Sequence, residues 1–183
     1  MQVEIQTGLL DGAQFVASPN FDERPADIAI DLLVIHGISL PPNHFGGPYI
    51  EALFTNTLDP NAHPYFKDIA NVRVSAHALI RRDGNVIQFV PFDKRAWHAG
   101  QSEFCGRSRC NDFAIGIELE GADHIPYEPA QYENLATLTK ALMAAYPLLA
   151  WDTIVGHSDI APMRKVDPGP VFDWVRYRKA VTA

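Results

Sequence analysis

The distribution of apolar and polar positions divides this chain into a few strands, three helices and long connecting loops. Ile28-Ala29-Ile30-Asp31-Leu32-Leu33-Val34-Ile35 is an almost unbroken aliphatic run that stops at His36-Gly37. A run of that kind suits a strand covered on both faces, where no alternation is needed. Phe113 to Glu120 behaves differently. Phe113, Ile115, Ile117 and Leu119 fall on one side, and Ala114, Gly116, Glu118 and Glu120 on the other, the period of two that gives a strand two unlike faces. Val74 to Arg82 and Val86 to Val90, split by Asp83-Gly84-Asn85, predict a hairpin, because Asp-Gly suits turns with positive φ. Thr153-Ile154-Val155 reads as a further strand end.

Helical spacing is clearest from Pro129 to Ala145, where Tyr132, Leu135, Leu138 and Leu142 recur on one face and Pro129 suits the first turn. Shorter helices are predicted around Tyr49 to Phe54 and from about Val171 to Ala180. Residues 1–27, with Pro19, Pro25 and several Asp/Asn turn formers, read as an irregular segment packed on the rest. Strands interspersed with helices predict an α/β fold: one domain over residues 1–183, with a central β-sheet flanked by helices.

Composition narrows the function classes. The chain has 183 residues, 47% hydrophobic and 20% charged, as in an ordinary globular protein. A formal charge of -7 argues against binding nucleic acid through the overall field. Met1 to Gln6 has no basic flank followed by an apolar run, and no apolar stretch approaches membrane-spanning length. The expectation is a protein without a membrane role that stays in the compartment where it is made. Cys105 and Cys110 lack a zinc-finger spacing and have no second pair, so reduced thiols are expected.

The chemistry concentrates between Gly156 and Gly169, where His157, Asp159, Lys165 and Asp167 share one loop. Asp167-Pro168-Gly169 cannot continue a helix or a ladder, so His157 and Asp167 are free to turn toward one point. Neutral imidazoles and carboxylates are zinc donors, and a catalytic zinc site keeps three protein ligands and one open position. His36, at the end of its strand, is the leading third ligand; His77 and Asp159 compete with it. Each of these taken alone is an ordinary hydrogen-bonded residue. Glu118, on the small-residue side of its strand, is either an ordinary edge-strand charge or a candidate general base, and Gly116 beside it leaves room for a ligand to approach. Lys165 could hold an oxyanion or be a solvated loop lysine, and Tyr65 could donate a hydrogen bond or simply pack.

Several segments together resemble the zinc-dependent N-acetylmuramoyl-L-alanine amidases of the type-2 amidase and peptidoglycan-recognition fold. They are Leu33-Val34-Ile35-His36, Ile38-Ser39-Leu40-Pro41-Pro42, Asp59 to Phe66, Val74-Ser75-Ala76-His77, Arg95 to Gly100, Cys110 to Phe113, Ile115 to Gly121 and the His157-to-Gly169 loop. They follow the family order across about residues 30 to 177. The resemblance implies a mixed central sheet, one Zn2+ per chain held by His36, His157 and Asp167, and supporting roles for His77 and Asp159. It implies Glu118 as general base, Lys165 as oxyanion stabiliser and Tyr65 as auxiliary donor. Arg73 and Arg109 would meet stem-peptide carboxylates, and Trp97 and His98 would line the groove. The chain looks most like the cytoplasmic members that cleave anhydro-muropeptides during peptidoglycan recycling, and a monomer is expected. One departure is Gly37, where relatives carry Asn after the first zinc His. A non-catalytic peptidoglycan-binding module and a zinc peptidase acting within the stem peptide are the competing readings.

Overall fold

The computed structural model describes residues 1–183. Its six-stranded sheet consists, in chain order, of β1 (Gln14–Phe15), β2 (Leu32–Ile38), β3 (Ala78–Ile80), β4 (Val86–Gln88), β5 (Ala114–Glu120) and β6 (Ile154–Gly156). Across the sheet the order is β6-β2-β5-β3-β4-β1. Only β3 and β4 pair antiparallel; the other neighbours are parallel, which makes the sheet mixed. The three longest helices are α1 (Tyr49–Phe54), α2 (Pro129–Ala145) and α3 (Trp174–Thr182), beside four-residue helical turns at Phe66–Ile69 and His157–Ile160.

The aliphatic run explains where the sheet sits. Leu32, Leu33, Val34, Ile35 and His36 are all buried. Leu33 and Ile35 join Ile115, Ile117 and Leu119 beneath Leu135, Leu138 and Leu142 of α2 and Tyr177 of α3. Burying each such side chain is worth about 1.5–3 kcal/mol. Leu32 and Val34 point the other way, into a smaller cluster with Phe113, Ala114 and Ile160. Side chains alternate along a strand, so His36 continues the Leu32–Val34 side, away from α2 and α3. A third cluster sets Ile50, Leu53 and Phe54 of α1 against Phe66, Leu79 and Ile87.

The boundaries of α1 and α2 match the sequence expectation. At the start of α2, Glu128 and Gln131 cap each other reciprocally, and Gln131 Nε2 donates to the carbonyls of Ile80 and Glu120. That fixes the helix to the ends of β3 and β5. Elsewhere the boundaries shift. β2 begins at Leu32 rather than Ile28 and runs through His36 to Ile38, because its parallel ladder with β5 continues to the Ile38–Glu120 pair. The hairpin pairs only Ala78–Ile80 with Val86–Gln88, with Gly84 at φ +90 in its turn. α3 begins at Trp174, where Asp173 accepts the Arg176 N–H at 2.8 Å.

Residues 1–27 are more ordered than their composition suggests. They supply β1 at the sheet edge, a short pairing of Val3–Glu4 with Leu9–Leu10, and another of Phe21–Asp22 with Arg95–Ala96. Both cysteines are free, Cys105 exposed and Cys110 buried. No helix is long and apolar enough to cross a membrane.

Candidate metal centre

The register of the two central strands brings the first pair of functional side chains together. His36 and Glu118 are direct partners in the β2–β5 ladder, so both project from the same side of the sheet. β6 lies on the other side of β2, and His157 opens a short helical turn directly after it. The Ser158 N–H donates to the Asp167 carbonyl at 3.0 Å, which folds the intervening loop back and returns Asp167 to His157. Tyr127 Oη donates to the next carbonyl, that of Pro168, at 2.9 Å.

His36 Nδ1, His157 Nδ1 and Asp167 Oδ2 consequently form a small triangle. Its edges are 2.9 Å between the imidazoles, 3.0 Å from His157 to Asp167 and 3.2 Å from His36 to Asp167. His36 and His157 are buried, and the Asp167 side chain is 14% exposed. Two facts suit this group to holding a single metal ion. First, the far nitrogens have partners of their own: His157 Nε2 lies 3.2 Å from the Ala99 carbonyl and His36 Nε2 2.9 Å from His98 Nδ1. A proton placed on each Nε2 leaves both Nδ1 lone pairs facing the triangle. Second, burial, partly offset by Asp167, pushes the His36 pKa down to about 4, so at neutral pH it is a lone-pair donor.

The competing ligands are engaged elsewhere. Asp159 Oδ2 accepts the Gly156 N–H at 2.7 Å. His77 Nδ1 accepts the Gly116 N–H and its Nε2–H donates to the Lys94 carbonyl, each at 3.0 Å. Burial, reinforced by the Arg24 guanidinium, pushes the His77 pKa down to about 3.

His157 and Asp167 of the triangle line a cavity of about 350 Å³, with His36 buried beside them. Glu118, Lys165 and Tyr65 line it together with Trp97 and His98. Tyr65 is 43% exposed at its rim. Arg73 and Arg109 do not line it; Arg109 is 69% exposed and pairs with Asp112 at 3.3 Å.

The sequence profile of the N-acetylmuramoyl-L-alanine amidase family matches residues 26–170. This chain belongs to that family. It is 60% identical over 178 residues to the 1,6-anhydro-N-acetylmuramyl-L-alanine amidase AmpD of Escherichia coli K12, covering 97% of each chain. A crystal structure of a selenomethionine AmpD derivative superposes with a TM-score of 0.95 at 60% identity, covering 99% of each chain. The Escherichia coli amidase AmiD, solved with anhydro-N-acetylmuramic acid-L-Ala-D-γ-Glu-L-Lys, superposes at 0.61 with 30% identity, over 88% of this chain and 65% of that one.

For an amidase the electrostatics around Glu118 matter most. Its Oε2 is buried without a hydrogen-bond partner. Burial, and then the charge of Asp167, raise its pKa well above the ordinary carboxylate value, against the opposing pull of Lys165. Asp167 goes the other way: burial alone would raise its pKa, but hydrogen bonds with His157 and His36 hold it below the usual range. Two carboxylates in one cavity are thus driven apart in acidity, as in sites that need one proton carrier and one permanent anion.

Several parts of the amidase centre lay outside the sequence reading. Arg24 leaves the N-terminal segment and donates to the carbonyls of Phe92, Asp93, Asn111, Asp112 and Ala114; nothing local in the sequence marks it. The Ala99 carbonyl serves both His157 and Arg164, the latter at 2.7 Å. The space left by Gly116 admits the His98 ring rather than a ligand: a Cβ there would lie 2.4 Å from His98 Cγ.

Proposed function

We propose that this chain is a zinc-dependent amidase that hydrolyses the bond between the lactyl group of 1,6-anhydro-N-acetylmuramic acid and L-alanine of the stem peptide. The observation that carries the reading is the convergence of His36, His157 and Asp167, two of which line a cavity that Glu118 and Lys165 also line. Its support from relatives is the activity printed in the name of AmpD and the anhydro-muramyl peptide bound to AmiD.

The donors suit zinc. Nitrogen and oxygen ligands about 2.0–2.2 Å from a tetrahedral ion lie roughly 3.4 Å apart. The triangle's edges of 2.9–3.2 Å need to open by only a few tenths of an ångström. When bound, zinc polarises a carbonyl and lowers the pKa of water toward about 7. The remaining work falls to side chains. Glu118, ionised for the attack, accepts a proton from the nucleophilic water at its unpartnered Oε2 and delivers it to the departing amine nitrogen of L-alanine. Its raised pKa makes it a better acceptor than an ordinary carboxylate and a ready donor in the next step. The Lys165 ammonium stabilises the oxyanion, and the Tyr65 hydroxyl donates to the bound substrate at the rim. Trp97 lines the groove, while Arg73 and Arg109 stand outside it, where an anionic peptide tail would extend.

In this reading residues 1–183 act as one amidase domain, with the N-terminal segment built in through β1 and Arg24. The enzyme is a cytoplasmic monomer serving peptidoglycan recycling. Mass spectrometry of products from a defined anhydro-muropeptide tests it. The expected products are anhydro-N-acetylmuramic acid and the intact free peptide, with a peptide lacking muramic acid left uncut. Cleavage within the peptide would favour a peptidase, and binding without cleavage a recognition module.

A further inference from the structure

His36 uses one ring nitrogen at the triangle and the other against His98. His36 Nε2 lies 2.9 Å from His98 Nδ1, and the rings meet edge to face, 5.0 Å between centroids. A ring that offers its Nδ1 lone pair to a metal carries its proton on Nε2. The contact is then an N–H donated by His36 and accepted by His98. Asp167 Oδ2, only 3.2 Å from His36 Nδ1, is a strong acceptor that would draw that proton to the wrong nitrogen. An equally fixed acceptor on the far side is needed to hold it back.

The backbone is shaped to fix that acceptor. Gly116 leaves open the space that the ring fills, since a Cβ there would lie 2.4 Å from both Cγ and Nδ1 of His98. The N–H groups of His98 and Ala99 both donate to Asn111 Oδ1, at 3.2 and 2.8 Å. His98 Nε2, which must carry the proton when Nδ1 accepts, is buried with no partner. A side chain kept in place despite an orphaned donor is retained for what its other nitrogen does.

We propose that His98 is a positioning residue: its Nδ1 accepts the His36 Nε2–H, holds that ring in the tautomer that turns Nδ1 to the metal, and orients it. The inference rests on the reading of His36, His157 and Asp167 as a zinc site. It assigns His98 to support of the centre, a task distinct from lining the groove.

The test compares zinc affinity, measured by competition with a chromophoric chelator, in the parent, His98→Phe and His98→Asn. Phe keeps a ring but no acceptor; Asn places an acceptor oxygen near the position of Nδ1. Loss of an outer partner typically weakens metal binding by about 10–100-fold. The expected result is a loss of that size for His98→Phe and recovery to within about threefold for His98→Asn. In the zinc-loaded parent, labelled with 15N, a coupling across the hydrogen bond between His36 Nε2 and His98 Nδ1 is expected, so the assignment stays testable if a variant fails to fold. A His98→Phe protein that binds zinc as tightly as the parent, or a zinc-loaded parent without that coupling, overturns the role of His98 alone. A parent that binds no zinc overturns the zinc reading and this inference with it.

Discussion

Replacing Glu118 by Gln should strengthen the metal-free fold while removing most of the activity. Glu118 stands beside His36 in the central ladder, with Oε2 buried and unpartnered. Burial, followed by the charge of Asp167, raises its pKa well above 4.5. Above about that value the unfolded chain has released this proton while the folded chain still holds it. Stability therefore falls as pH rises from the unfolded-state pKa through the folded-state one. Gln does not titrate, so the variant escapes the loss. A buried polar group left unsatisfied costs about 1–3 kcal/mol. The amide still has its own hydrogen-bonding needs, so the lower end, about 1 kcal/mol, is expected, or about 2–4 °C in Tm for a chain of this size. The assay is thermal unfolding of metal-free parent and variant at about pH 4.5 and pH 8, with the variant gaining only at the higher pH. In turnover, a general acid–base group is worth about 10²–10⁴-fold, and Glu118→Gln should lose that much with zinc retained. A variant that melts below the parent at pH 8, or that turns over at the parental rate, refutes the reasoning.

Lys165→Ala should lower kcat by about 10²–10³-fold, as expected for removal of one oxyanion donor, with zinc content unchanged because Lys165 is outside the triangle; parallel rate and metal measurements check this. Arg24→Met should destabilise the fold. The guanidinium donates to five backbone carbonyls at 2.9–3.2 Å, and Met fills the volume without donating. At about 1.5–3 kcal/mol for a hydrogen bond to a charged group, a loss of at least about 3 kcal/mol is expected, seen as a lower urea midpoint; an unchanged midpoint would show that these bonds contribute little.

The triangle was legible in part for a physical reason, while the choice of it over His77 and Asp159 came from the family resemblance. His157 follows a strand end, Asp167-Pro168-Gly169 breaks any helix or ladder, and His36 ends an aliphatic run suited to a buried strand. Alternation set Glu118 on the side opposite Ile117 and Leu119, and the family resemblance singled it out as the base. What escaped depends on contacts far apart in the chain. The N-terminal segment carries no periodic signal, yet its Arg24 is fixed by carbonyls some 70 to 90 residues away. His98 reads as one residue of a loop, and only the absence of a side chain at Gly116, on another strand, lets it reach His36. Strand limits shifted because the β2–β5 ladder, not the hydrophobic run, decides where pairing stops.

The most direct test of the account is the zinc content of purified parent and Asp167→Ala, measured beside their hydrolysis of the anhydro-muropeptide. The prediction is one zinc per parent chain, with metal and activity lost together when the carboxylate is removed. A parent that cleaves at full rate after complete chelation, or an Asp167→Ala protein that still holds its zinc, would contradict it.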